Sequence, residues 1–297
     1  MKFYKTMLCA LALSGVVACS DDSFYGGQTT GVGYLSFEMA TPDSVENVTR
    51  AEVNIGTVAG AGYSAPADGD FNIVINEWDS TNDEIGEEKY NGSLSGWSNT
   101  TPLMAGSYVV KATYSVAITG NESNKVGFNK PVFESEGVHF TVVGATTTTV
   151  NIPVTLKNAI VRLDFTEMFN AYYSYEKFTI TSAGTTIDLA KGDTRGVFVD
   201  AANFTIAATL TSQAQAPETD ADGNETGEFS NKEISFSKTY TAKAGNCYTI
   251  KFDAANVGGI GEITITFGDQ PSETIDKGDI DLNAGSNSQG GNENQNS

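Results

Sequence analysis

The sequence predicts an all-β protein built from two related modules, and three observations support this prediction. The run at 137–165 alternates β-branched and aromatic residues with polar ones, which is typical of half-buried strands and not of a helix. A similar run returns about a hundred residues later, at 238–267, with its features in the same order. Charged residues make up only 18% of the chain, and Thr, Ser, Gly and Asn replace them, as in extracellular β proteins.

The first run also predicts where the two modules meet. It contains a strand, a tight turn at Gly144-Ala145, a long strand, a break near Lys157-Asn158 and another strand. It therefore closes the first module and opens the second. We predict β-sandwich domains at 33–157 and 158–276, each large enough for its own core.

The charge balance argues against several kinds of partner. The formal net charge is -20, from 37 acidic and 17 basic residues. Like charges repel, so nucleic acid and anionic membrane surfaces are disfavoured as partners. A solvated acidic surface favours solubility outside the cell.

The N-terminus resembles a bacterial lipoprotein signal peptide. Residues 1–18 contain a basic start and an apolar stretch too short to be an ordinary membrane span. Ala18 precedes Cys19, so cleavage between them would leave Cys19 as a lipid-modified N-terminus. Several acyl chains on one residue would give stable anchoring. The alternative is an ordinary secretory signal with a chance cysteine.

The residues that follow predict surface export. Ser20, Asp21 and Asp22 resemble the signal that sends Bacteroidetes lipoproteins to the outer face of the outer membrane. Residues 19–32 form a Gly/Thr-rich tether by composition. We therefore expect a lipid-anchored outer-membrane protein facing the extracellular side.

Three of the strands predicted in the first module have counterparts in the second. The strands predicted in the first module are Gly33–Met39, Glu52–Val58, Phe71–Asn76 and Gly106–Tyr114, with a loop and edge piece at Gly127–Glu134. In the second module, Ala159–Phe165, Phe178–Thr181 and Ala202–Leu210 resemble the first, third and fourth of these. Only Phe165–Tyr175 is compatible with a helical turn or two.

The opening strand occurs a third time, as EITITF at Glu262–Phe267. It either fills a place in the second module or is available to another chain. The first alternative is the default, because an exposed strand edge promotes aggregation. The Asn/Gln/Gly/Ser-rich segment 277–297 is predicted to be a disordered tail.

No motif predicts an enzyme, a cofactor or a metal site. Cys247 is the only cysteine of the body and lies in a strand-like run, where a small buried residue is expected. The only histidine, His139, falls in another strand. The segment Thr219–Glu228 resembles the start of a calcium loop, but Glu225 replaces the glycine that the turn requires, so an acidic hairpin tip is favoured. The GTVAGAG segment lacks the strand-to-helix setting of a nucleotide loop.

Two further patterns leave alternatives open. Glu77 and Asp79 flank Trp78, a pattern compatible with a glycosidase carboxylate pair or a sugar-stacking tryptophan, although a solvated loop is favoured. Trp97 is compatible with a sugar site or a loop anchor. Ser44 and Ser80 follow aspartates in sequences that resemble Bacteroidetes O-glycosylation sites, and both are expected in loops.

As a whole, the pattern resembles the fimbrillin superfamily of Bacteroidetes lipoproteins, and within it an uncharacterised domain-of-unknown-function family. The residues that carry the resemblance are CSDD at 19–22, GYLSFEM at 33–39, LMAGSYVVKATYS at 103–115 and the run at 139–165. The resemblance implies two tandem, mostly antiparallel transthyretin-like or Ig-like β-sandwiches.

The resemblance also implies a way to assemble. In polymerising fimbrillins a trypsin-like protease cuts after an arginine and removes the first strand, and a strand of the next subunit takes its place. Here the cut would follow Arg50, and GYLSFEM would be the strand removed. We therefore expect a non-enzymatic surface lipoprotein that serves as a pilus subunit, pilus accessory or adhesin. The alternative is a carbohydrate-binding lipoprotein of a glycan-uptake system.

Overall fold

The computed structural model describes residues 31–47, 52–116, 125–257, 260–267 and 273–281. These residues form twenty strands and two short helices, so the predicted all-β sandwich class is confirmed. Neither helix in this part of the chain has the length and apolar character needed to span a membrane.

The first module pairs a three-stranded sheet with a larger one. The small sheet has the order β10-β1-β6, and the large sheet has the order β11-β8-β7-β4-β5, with β9 also on β7. Helix α1 (Ile55–Ala59) lies between β3 and β4. The strands are β1 (Val32–Ala40), β2 (Ser44–Asn47), β3 (Glu52–Asn54), β4 (Asn72–Asp79), β5 (Glu84–Ser93), β6 (Leu103–Met104), β7 (Gly106–Ser115), β8 (Val132–Glu134), β9 (Val138–Val142), β10 (Thr147–Pro153) and β11 (Thr155–Leu156).

The second module repeats this plan. One sheet has the order β15-β12-β18-β19-β20, and the other has the order β14-β13-β16-β17. Helix α2 (Glu167–Tyr172) follows β12. The strands are β12 (Ala159–Phe165), β13 (Tyr173–Ser182), β14 (Thr185–Ala190), β15 (Val197–Val199), β16 (Asn203–Thr219), β17 (Glu225–Thr241), β18 (Asn246–Val257), β19 (Ile260–Phe267) and β20 (Glu273–Asp281).

The duplication extends to strand register. In the first module β1 pairs in parallel with β10, and Tyr34 lies opposite Thr147. In the second module β12 pairs in parallel with β18, and Ile160 lies opposite Cys247. Tyr34 and Ile160 are the second residues of the two opening strands Gly33–Met39 and Ala159–Phe165, and Thr147 and Cys247 lie 100 positions apart in the two recurring runs. The antiparallel neighbours β6 and β15 also agree, because Leu103 faces Gly33 as Val199 faces Ala159. The recurrence read from the sequence is therefore a repeat in three dimensions.

The third copy of the opening strand takes a place within its own module. It lies in β19, which pairs antiparallel with β18 and also with β20. The default interpretation of Glu262–Phe267 is thus confirmed. Within the described ranges, β10 is the edge of its sheet and carries no strand in the place that β19 takes beside β18.

One sheet of the second module lies between two cores. Ile160, Phe198 and Cys247 belong to the core of the first module. Their neighbours Val161 and Val197 belong to the core of the second. Adjacent residues of a strand point to opposite faces, so this sheet has a buried core on each side. The β2–β3 hairpin adds to it, since Glu46 lies opposite Asn246 of β18.

Lys157 and Asn158 separate β11 from β12, and the Asn158 side chain is a buried amide. Asn158 is 1% exposed. Its Oδ1 accepts a hydrogen bond from the Val132 backbone N–H at 3.2 Å. Its Nδ2 donates to the carbonyl oxygens of Lys125, at 3.1 Å, and Lys130, at 2.7 Å. The side chain therefore satisfies backbone groups of the loop that precedes β8.

Two predictions about individual elements differ from the structure. The strand predicted at Glu52–Val58 ends at Asn54, because the Asn54 side chain caps α1 by accepting from the Thr57 N–H at 3.0 Å. The tail predicted from Lys277 begins too early, since β20 continues to Asp281 through backbone pairing with β19. By contrast, the helical turn predicted within Phe165–Tyr175 is confirmed as α2.

Candidate functional site

The candidate functional site is the position that β1 occupies between β10 and β6, which we call the seat of β1. The resemblance predicts that β1 is the strand that proteolysis removes. Leu35 is fully buried in the first core. Its carbonyl oxygen accepts a hydrogen bond from the Trp97 Nε1 at 3.2 Å. The Phe37 ring packs edge-on against the Trp97 indole, with centroids 5.7 Å apart. Trp97 is itself only 8% exposed. It is therefore a core anchor for β1 and presents no face to a sugar.

Backbone hydrogen bonds hold β1 along its whole length. At its start, the Ala105 N–H donates to the carbonyl oxygen of Gly31 at 2.8 Å, and the Ala145 N–H donates to that of Val32 at 2.8 Å. At its end, the Val154 N–H donates to the carbonyl oxygen of Ala40 at 3.2 Å. Main-chain pairing is independent of side-chain identity, so the seat fits any strand with compatible side chains.

Gly33 sets one strict requirement on a strand in this seat. A Cβ atom at position 33 would overlap the carbonyl oxygen of Val143 and the Val142 side chain. The turn between β9 and β10, which we call the corner, is therefore in close contact with the backbone of β1. An occupant of the seat needs glycine here or a displaced corner.

Arg50, at which the resemblance predicts cleavage, lies outside the described residues and falls between β2 and β3 in the sequence. On either side of it, Val45 lies opposite Val53 and Ser44 opposite Asn54 in an antiparallel pair. A cut after Arg50 would detach β1 and β2 from the rest of the chain. Because β2 also pairs with β18, the cut would change both modules.

The residues predicted for anchoring also fall outside the described ranges. They are Ala18, Cys19, Ser20, Asp21 and Asp22, and lipidation, signal cleavage and surface export stay predictions.

The two O-glycosylation serines have different surroundings. Ser80 is exposed in the turn between β4 and β5, where the Asp79 carboxylate accepts from the N–H groups of Thr81 and Asn82 at 2.8 and 3.2 Å. These bonds lower the pKa of Asp79. Ser44 begins β2 and is half-buried, so its predicted loop placement is wrong. Glycosylation itself stays a prediction at both serines.

Trp78 and His139 meet on the outer face of the large sheet, a contact that the sequence did not reveal. Their ring centroids are 4.2 Å apart in an edge-on arrangement. They come from β4 and β9, which lie on opposite sides of β7. The two rings form an aromatic surface on this face of the sheet. Ile85, which lies opposite Trp78 on β5, is beside this surface and is 55% exposed.

The charged side chains beside this surface form ion pairs and hydrogen bonds of their own. Lys89 Nζ lies 2.8 Å from a Glu77 carboxylate oxygen and 2.6 Å from one of Glu87. These hydrogen bonds, that to Glu77 first, raise the pKa of Lys89. The carboxylates beside Trp78 are thus engaged by Lys89 and by the turn of Asp79.

The chemically reactive residues of the body are kept apart. Cys247 is 1% exposed, and burial raises the pKa of its thiol to about 11. It lies in β18, whereas His139 lies in β9 of another sheet. Cys247 therefore packs as a small buried residue, as predicted. Asp220 at the tip of the β16–β17 hairpin accepts from the N–H groups of Asp222 and Asn224, as expected of a hairpin turn. The described residues contain no cluster of three or more His, Cys, Asp or Glu side chains placed to hold a metal ion.

Comparison with known proteins gives one family match. A family model described as Domain of unknown function (DUF4493) covers residues 31–283. It confirms the resemblance to an uncharacterised family of this kind. No curated protein matches the sequence.

Several crystal structures are similar at low identity. A candidate cell adhesion protein from Bacteroides fragilis is 10% identical, with a TM-score of 0.37, over 82% of this chain and 99% of that one. A fimbrial assembly protein from Parabacteroides distasonis is 14% identical, with a TM-score of 0.35, over 69% of this chain and 90% of that one. These values are too low to transfer a function.

Proposed function

The chain belongs to the family described as Domain of unknown function (DUF4493), and from the geometry around β1 we propose that it is a non-enzymatic cell-surface lipoprotein of the fimbrillin type. In this proposal Cys19 carries the lipid, and the two sandwiches act as a pilus subunit, pilus accessory or adhesin.

The observation that supports the proposal is the seat of β1. The strand lies between β10 and β6, in the same register as β12 between β18 and β15. Loss of β1 would leave the main chains of both neighbours unpaired and the Leu35 site empty. Unpaired strand edges next to an apolar core accept an added strand. The first module is thus built so that another strand is needed wherever β1 is removed.

Intact-mass and N-terminal analysis of the protein from native cells tests this proposal. We expect a lipid on Cys19 in the uncleaved protein or, for a matured pilus subunit, a chain that begins at Ala51 and has lost Cys19 together with its lipid. The matched control is Arg50→Gln, which should keep β1 and stay monomeric, since residues 41–88 contain no other arginine and no lysine at which trypsin could cut. Heat-resistant ladders after trypsin treatment of the unmodified chain, but not of Arg50→Gln, would support polymerisation. An unlipidated protein retained inside the cell would contradict the proposal.

The same mass measurement tests the glycosylation prediction. Ser80 is exposed and Ser44 half-buried. We expect a glycan mass on the protein that disappears in Ser80→Ala. An unmodified mass would contradict the glycosylation prediction.

A second candidate function is carbohydrate binding, and the Trp78–His139 pair favours it. Aromatic faces bind the apolar faces of sugar rings, and this surface is exposed on the outside of the sheet. On a glycan array, Trp78→Ala should lose binding, whereas Trp97→Phe, altered in the core, should retain it. Absence of binding by the unmodified protein would remove this candidate.

A further inference from the structure

Exposed apolar side chains gather where the described chain begins. Val32, Met104 and Val143 are 40%, 62% and 45% exposed, and they are three of the five large hydrophobic residues exposed in the described part of the chain. Val32 lies opposite Met104 in the β1–β6 pair, so their side chains are neighbours. We call these three residues the apolar pole.

Backbone contacts place Val143 at the same end. Val143 precedes the turn between β9 and β10, and the Ala145 N–H of that turn donates to the carbonyl oxygen of Val32 at 2.8 Å. A Cβ atom at Gly31 would lie 3.6 Å from the Gly144 Cα. The three side chains therefore belong to one end of the first module.

The segments that build the apolar pole carry no charge. Residues 31–37, 90–110 and 137–156 contain no Asp, Glu, Lys or Arg, although 18% of the chain is charged. Carboxylates do flank the pole on the neighbouring sheet. Glu77 lies opposite Tyr108 near the start of β7, so the acidic turn with Asp79 and Asp83 reaches the same end of the module.

The apolar pole also faces away from the second module. Strands β1 and β10 run in parallel from this end, and the chain leaves the far end of β10 for β11 and β12. Eleven residues separate Cys19 from Gly31. At no more than about 3.6 Å per residue they span at most about 40 Å. A lipid on Cys19 would therefore keep this end of the protein within about 40 Å of the bilayer.

We propose that the apolar pole contacts the bilayer and inserts Val32, Met104 and Val143 among uncharged lipid headgroups and the adjoining acyl chains. This inference rests on the proposed lipid anchor at Cys19. Tethering converts a weak contact into an intramolecular one, so a small apolar surface suffices. The flanking carboxylates make uncharged lipid the favoured surface, because they repel anionic headgroups.

A fluorescent probe at position 104 tests the contact on the lipidated full chain. Met104→Cys is labelled with nitrobenzoxadiazole. Cys247 does not compete because it is buried and its thiol pKa is raised, and a lipidated Cys19 has no free thiol. The matched control is Met168→Cys, an exposed methionine of α2 in the second module. Both proteins are reconstituted into phosphatidylcholine vesicles.

The expected result is a blue-shifted emission for the probe at position 104, with loss of quenching by aqueous iodide and gain of quenching by nitroxide-labelled lipid. The probe at position 168 should show none of these changes. Vesicles containing phosphatidylglycerol should reduce the shift at position 104. Equal iodide quenching at the two positions would overturn the inference, as would a blue shift without nitroxide quenching, since that indicates contact with protein.

Mass analysis of the same preparation separates the two proposals. If the mass shows no lipid on Cys19, the anchor of the proposed function fails. If the lipid is present and the probe at position 104 remains in water, only the membrane contact fails.

Discussion

The Trp97 indole donates a hydrogen bond to the carbonyl oxygen of Leu35 across 62 residues of sequence. Trp97 is therefore the side chain that ties β1 to the loop between β5 and β6. It also packs against Phe37 and, with centroids 5.0 Å apart, against Tyr90. One residue thus connects the first strand to the core by a polar and an apolar contact.

We expect Trp97→Phe to lower the free energy of unfolding by about 1–3 kcal/mol, because the buried Leu35 carbonyl loses its partner. Trp97→Ala should cost about 3–5 kcal/mol, since it also leaves a cavity. Urea denaturation followed by circular dichroism measures both. Trp78→Phe at the surface is the control and should change stability by less than about 0.5 kcal/mol. Equal effects of the two Phe variants would contradict the role given to Trp97.

A second prediction concerns the contribution of Asn158 to stability. Asn158→Ala removes one buried and two part-buried hydrogen bonds to backbone groups, so we expect the free energy of unfolding to fall by about 2 kcal/mol. The adjacent Lys157→Ala breaks only an ion pair with Glu136, whose side chain is 84% exposed, and should cost less than about 1 kcal/mol. Thermal unfolding of both variants measures the difference, and similar melting temperatures would refute it.

A third prediction concerns the close packing around Gly196. A Cβ atom there would lie 2.5 Å from the Val58 carbonyl oxygen and 2.6 Å from the Ile160 Cγ2. Gly196→Ala should push α1 away from the shared sheet and destabilise the protein by about 1–3 kcal/mol. At Gly106 the nearest atom to an added Cβ is 3.8 Å away, so Gly106→Ala should be tolerated. Urea midpoints of the two variants provide the comparison, and an unaffected Gly196→Ala would show that α1 is not held against the sheet.

Tyr63 predicts how stability changes at high pH. Burial first, and then the charges of Tyr114 and Asp43, raise the pKa of Tyr63 to about 12. The unfolded phenol ionises near pH 10. The folded state favours the neutral phenol, so this contribution is fully present below about pH 10 and is lost as pH rises toward about 12. Burial also raises the pKa values of Tyr108, Tyr114, Tyr173 and Tyr175. Ultraviolet difference titration should therefore show several late-ionising tyrosines, one fewer in Tyr63→Phe. Ionisation of all tyrosines near pH 10 in the folded protein would contradict this expectation.

The sequence predicted the repeat well because its signals are local. Alternation located β9, β10 and β12, and the Gly144-Ala145 turn appears as predicted, with Ala145 at a φ of 58°. At Glu52–Val58 the β-branched residues outweighed a local signal in the opposite direction, the Asn54 cap and the glycine at the end of α1.

The features that the sequence did not reveal depend on contacts between distant segments. Ile160 and Val161 are both apolar, and nothing in their order says that they enter different cores. Trp78 and His139 are 61 positions apart in the sequence. They meet across β7, which lies between their two strands in the sheet. From the sequence, Trp97 is compatible with a sugar site or a loop anchor. Its buried position beneath β1 identifies it as an anchor.

The parallel pairing of β1 with β10 has a mechanical consequence. In a chain anchored ahead of β1, tension enters at the start of that strand and leaves beyond the end of β10. Since the two strands point the same way, this tension slides them past each other along their length. All the hydrogen bonds of their seven paired positions, from Tyr34 to Ala40, then carry the load together instead of opening one after another. The first module is therefore arranged to resist a force that is applied along these two strands.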